Sequence, residues 1–148
     1  MANCSTDGPS VLLLSEKKVE GIENLRARLE EGIDFFNREY FFEAHDALEE
    51  LWMEAREQVQ RDLFHGLVNI ATGFYHYRMG NRKGMQSQLQ KGVDKLSQVP
   101  PRCFGVNVGK LLRDVQSYIQ QEYAQLSFPE PLPKIEFGAE ALALIKKI

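Results

Sequence analysis

Between about Gln60 and Met79 the apolar residues fall on two helical stripes at once. One holds Leu63, Leu67, Ile70, Phe74 and Tyr77; the other holds Phe64, Val68, Ala71 and Tyr75. A helix that is apolar on two sides needs more than one neighbour to cover it, so this segment predicts a core helix with others packed around it. The run from Leu63 to Tyr77 lacks Asp, Glu, Lys and Arg, but it holds histidines and is too short to span a bilayer. Gly66 and Gly73 lie seven apart on one face, and each costs about 1 kcal/mol against Ala in a helix interior, which points to close approach of another element. Trp52 is a candidate to fill that groove.

The flanking segments repeat the helical period. Ile22, Leu25, Leu29, Ile33 and Phe36 predict a first helix, interrupted at Asn37-Arg38-Glu39. Phe41, Ala44, Leu48, Leu51 and Ala55 predict a second, with Glu39 and Glu43 near its positive end, where the helix dipole favours carboxylates. Gly80-Asn81 reads as a left-handed cap after the core helix. Met85, Leu89, Val93 and Leu96 give a fourth helix, closed by Pro100-Pro101, with Gln88 on a solvated face. Asn107 can cap a fifth, with Val108, Leu111, Leu112, Val115, Ile119 and Leu126. No alternating strand pattern competes. The expected fold is all-α, a compact antiparallel bundle of about five helices with a Pro-rich C-terminal extension. Residues 1–15 read as a flexible leader and 16–126 as the helical domain. Residues 127–148 read as a tail that Pro129, Pro131 and Pro133 keep extended, with a short terminal helix from Ala139 to Ile148.

At 148 residues one domain can bury a sizeable core without disulfide or metal. The net charge of -3 and pI near 5.7 argue against nucleic acid as a main partner, which calls for clustered cations. No membrane span or signal peptide is evident, and Cys4 and Cys103 form no CxxC pair, so a cytoplasmic protein with reduced thiols is expected.

All three histidines lie between Phe41 and Tyr77. Helical spacing puts His45, Glu49 and Trp52 on one face of the second helix, and His65, Asn69, Thr72 and His76 on one face of the third. If the two helices form a hairpin turning near Gln58, residues whose numbers sum to about 117 lie opposite one another. His45 then faces Thr72, close to His76, while Glu49 faces Asn69 and Trp52 faces His65. This polar pocket of His45, Glu49, Trp52, Asn69 and His76 has two readings. Imidazoles and a carboxylate suit zinc or iron, but no HExxH or paired ExxH motif is present, and no cofactor can be named. Uncharged polar groups between helices also satisfy one another as a buried hydrogen-bonded network, with His76 a buried member. A hydrolase of the GxSxG type has no motif here.

Several of these residues form a pattern: Phe36-Asn37, Phe42-Glu43-Ala44-His45, Leu48-Glu49, Trp52, Gly66-Leu67, Tyr75-His76, Gly80-Asn81 and Gly84. Over residues 33 to 119 it resembles the domain-of-unknown-function family 309. Asp46 stands where that family more often has Glu, and His65 where it more often has Gln. The resemblance implies a compact all-helical fold and brings no reaction with it. The leading expectation is a non-enzymatic helical domain that binds a protein partner or self-associates. The alternative is a metal-assisted enzyme using His45, Glu49 and His76.

Overall fold

The computed structural model describes residues 16–122 and 132–138, so the leader, Leu126 and the proposed terminal helix lie outside the described residues. Five helices follow one another: α1 (Glu16–Asn37), α2 (Phe41–Glu54), α3 (Gln58–Arg78), α4 (Arg82–Leu96) and α5 (Val108–Glu122). Each of the first four packs on the next, and α5 returns against α4. The all-α expectation holds, and none of the described helices is long and apolar enough to cross a membrane.

The apolar stripes are the buried ones. Leu29, Ile33 and Phe36 of α1 meet Phe41, Ala44, Leu48 and Leu51 of α2. Phe36, Phe41 and Phe74 form an aromatic centre with ring centroids 5.2 to 6.0 Å apart. Both stripes of α3 are covered, as two-sided apolarity requires. Its glycines explain how closely α4 lies. A Cβ on Gly66 would sit 2.6 Å from Leu96 Cδ2, and one on Gly73 would sit 2.6 Å from Leu89 Cδ2. The leucines of α4 therefore fill the glycine groove, and Trp52 does not.

Two of the joints share one hydrogen-bond plan. After α3, Gly80 is left-handed at φ +80°, Gly80 N–H donates to Tyr77 O at 3.1 Å and Asn81 N–H to His76 O at 2.8 Å. This paired closure satisfies the last carbonyls of the helix. The α1–α2 joint repeats it with Glu39 at φ +66°, Glu39 N–H donating to Phe36 O and Tyr40 N–H to Phe35 O. Glu39 has side-chain partners, for its carboxylate pairs with Arg78 and lies 3.8 Å from Lys134 Nζ. Asn81 and Asn107 cap α4 and α5 through their side-chain oxygens, which accept from Gly84 N–H and Lys110 N–H.

A small hairpin that the sequence reading did not anticipate precedes α5. Arg102–Cys103 pairs antiparallel with Val106–Asn107, and Phe104 and Gly105 both have positive φ, as a two-residue type I′ turn requires. Strands of two residues are too short to display a period. Part of the Pro-rich stretch is laid against this hairpin. Asn107 N–H donates to Glu136 O, Gly138 N–H to Gly105 O, and Leu132 and Ile135 are buried in the core. Asn37, at the end of α1, holds the same segment like a strand of one residue. Its Nδ2 donates to Ile135 O at 2.9 Å, and Ile135 N–H donates to its Oδ1 at 2.7 Å. Buried Cys103 is disulfide-bonded, which corrects the expectation of reduced thiols.

Candidate functional site

The outer surface of α2 and α3 is set by what their stripes leave over. On α2, His45 lies between two carboxylates, its Nδ1 3.2 Å from Asp46 Oδ1 and its Nε2 3.7 Å from Glu49 Oε2. On α3 the left-over face carries His65, Thr72 and His76, and contacts with α2 fix how the two helices align. The Trp52 indole stacks on the His65 ring at 3.9 Å between centroids and 13° between planes, and Phe42 meets Tyr75 at 5.7 Å. Both pairs obey the register that the sequence predicts.

The five residues of the predicted polar pocket are nonetheless distributed over separate contacts. His45 and Glu49 come together, and Trp52 joins His65. Asn69 turns the other way, and its Nδ2 donates to Gln88 Oε1 of α4 at 2.9 Å while its buried Oδ1 has no hydrogen-bond partner. Gln88 is thus part of the α3–α4 seam, and its expected solvated position is corrected. His76 sits at the far end of α3, half-buried, with Nδ1 3.4 Å from Asn81 Nδ2. Because Asn81 Oδ1 already accepts from Gly84 N–H, the amide nitrogen is what faces His76, so Nδ1 is its acceptor nitrogen. His76 therefore belongs to the cap of α4 and is no buried member of a network with His45 or Glu49. Thr72 bonds back to Val68 O at 2.8 Å. Two hollows of about 320 and 240 Å³ lie elsewhere, one beside Ser87 and Ile119, the other beside Arg28 and Phe64.

Two chemistries are available on this surface. The ligand atoms of His45, Asp46 and Glu49 all lie within 4.8 Å of one another, a donor set that suits a divalent cation with open positions left for water. The other is association. Phe42 and Met53 are 52% and 72% exposed on a helix whose remaining large apolar side chains are buried or half-buried. The signal for both was in the sequence, since neither falls on the buried stripe through Phe41, Ala44, Leu48 and Leu51.

His65 has a depressed pKa, chiefly because burial disfavours the imidazolium, with Lys95 and Arg61 adding repulsion and Asp62 opposing them. The folded value then lies below the unfolded value of about 6.5, so this contribution to stability is present above pH 6.5 and is lost as pH falls through the folded pKa. His65→Gln lacks that titration. The melting-temperature advantage of wild type over His65→Gln should shrink from about pH 7.5 to pH 5, and an advantage that grows on acidification would contradict the assignment.

The chain is similar to uncharacterized proteins. One from Aquifex aeolicus (strain VF5) is 20% identical over 132 residues, 89% of this chain and 38% of that protein. Another, the uncharacterized protein YpuF of Bacillus subtilis (strain 168), is 26% identical over 99 residues, 65% of this chain and 56% of that protein. The chain thus spans about half or less of the length of these relatives. Residues 29–88, from the second half of α1 to the middle of α4, match the family model described as a domain of unknown function (DUF309).

Proposed function

We propose that this chain is a non-enzymatic helical domain that binds a protein partner through the outer face of α2, with self-association as the variant of the same reading. The observation that carries it is the pair of exposed apolar side chains on α2, Phe42 and Met53; the other large exposed apolar side chains among the described residues, Tyr40 and Met79, lie in the joints before α2 and after α3. Large apolar groups left in water on an ordered helix mark contact surfaces more often than catalytic ones. The acidic balance supports a partner other than nucleic acid. A photoreactive phenylalanine analogue at position 42, irradiated in the cells that make the protein, should give a discrete cross-linked species, whereas the same analogue at Glu31 on α1 should not. Absence of any adduct at position 42 would end this reading.

The cluster of His45, Asp46 and Glu49 favours a second reading, metal-assisted chemistry. Its three donors are half-exposed or exposed, and a tight zinc site ordinarily closes with a fourth ligand. The expected result is no stoichiometric metal in protein purified without a metal column. Elemental analysis finding about one zinc or iron per chain, lost in His45→Ala, would replace the first reading by the second. A cytoplasmic setting goes with the proposal and is supported by the ordinary soluble composition; the disulfide at Cys103 argues the other way. Alkylation of thiols at the moment of lysis, read by mass, decides between them.

A further inference from the structure

The outer face of α2 has an order that specifies its partner, granted the contact surface proposed above. Phe42, Asp46, Glu49 and Met53 fall at i, i+4, i+7 and i+11, one stripe about 16 Å long with an apolar residue at each end and two carboxylates between. Tyr75 widens the first apolar end by its contact with Phe42, and Trp52, next to Met53, stacks on His65 at the other. The helix holds five acidic residues, Glu43, Asp46, Glu49, Glu50 and Glu54, and no Lys or Arg. Glu54 is bound by Arg28 through two hydrogen bonds of 2.8 and 2.7 Å, and Glu50 lies in the field of the same guanidinium. For Glu43, Asp46 and Glu49 no lysine or arginine partner exists among the described residues, and His45 alone stands between the last two.

We infer that the occupant of this stripe is a cationic amphipathic helix, with apolar residues about three turns apart and Lys or Arg between them. Charge complementarity selects it. Carboxylates flanked by exposed aromatic and thioether groups attract cations that can also lie on ring faces. The two-fold contact of a second copy would lay one acidic stripe on another and is repelled, so the partner differs from this chain.

The test uses the intact chain and its single tryptophan, Trp52, which lies at the stripe. Two synthetic Trp-free helical peptides are titrated while Trp52 emission is followed, one built of Leu and Lys with the stated spacing, the other with Glu in place of Lys. The Leu/Lys peptide should shift the emission saturably and the Leu/Glu peptide should not. Asp46→Asn/Glu49→Gln should weaken the Leu/Lys complex about tenfold or more, whereas Glu30→Gln/Glu31→Gln on α1 should leave it within about twofold. Equal binding by the two double variants, or by the two peptides, overturns the inference. A Phe42→Ser variant separates it from the surface itself. If Phe42→Ser abolishes peptide capture while Asp46→Asn/Glu49→Gln changes neither that capture nor the cross-linking from position 42, the contact surface stands and the cationic partner falls. Formation of dimers of this chain as the sole complex overturns it as well.

Discussion

Gly73→Leu should destabilise the protein by about 3 kcal/mol or more and lower its melting temperature by roughly 10 °C. A first side-chain carbon there meets Leu89 Cδ2 at 2.6 Å and Cγ at 2.8 Å, with the Leu89 backbone nitrogen at 3.3 Å, so the rest of a leucine has nowhere to go unless α4 moves. That movement would spread. The same seam is tightened from the other side by Gly92, where a Cβ would lie 2.5 Å from Ile70 Cδ1 and 3.1 Å from the Gly66 carbonyl oxygen. Glu31→Leu, on an exposed position of α1, is the control and should change stability by less than about 0.5 kcal/mol. Gln88→Leu is expected between them, because it takes from buried Asn69 the acceptor of its amide. Thermal melts of the three variants test the order, and a Gly73→Leu protein as stable as wild type would refute the close α3–α4 contact.

The second large effect is expected at Asn37. Replacing it by Ala removes both of its side-chain hydrogen bonds to Ile135 and leaves the Ile135 N–H and C=O without that partner, a cost of about 2 kcal/mol. The loss should be local in origin. Ile135 N–H should exchange with solvent at least about tenfold faster, while amides in the middle of α3 keep most of their protection. Asn37→Asp keeps the oxygen that accepts from Ile135 N–H and loses the donor, so it should fall between Ala and wild type. Unchanged exchange at Ile135 in Asn37→Ala would mean that burial of Leu132 and Ile135 holds the segment alone.

What the sequence made legible is whatever repeats along a helix or sits at its end. The stripes name the core, the Gly66–Gly73 spacing announces a close neighbour, and Gly80, Asn81 and Asn107 take the capping roles that their chemistry suggests. The hairpin register was also readable, since it needs only two helix periods and a short connection; Trp52 on His65 and Phe42 on Tyr75 follow from it. What stayed hidden depends on rotation about a helix axis or on distant pairs. Asn69 and Glu49 are level along the hairpin, yet Asn69 faces α4, and a one-dimensional register cannot state that angle. His76 was likewise placed by its level on α3, when its nearest polar group belongs to the turn that follows. Asn37 and Ile135 are 98 positions apart, with no spacing rule to join them.

The two joints built on one hydrogen-bond plan differ in what the surrounding solution can do to them. Gly80 adopts its left-handed backbone at no steric cost, so the α3–α4 joint has no backbone penalty for ion pairs to offset. Glu39 adopts nearly the same backbone against the preference of an ordinary side chain, and its carboxylate engages Arg78 and Lys134. Mobile ions weaken those attractions and leave the backbone penalty untouched. The α1–α2 joint therefore loses support as ionic strength rises, next to the Asn37 clamp and one turn from the aromatic end of the α2 stripe.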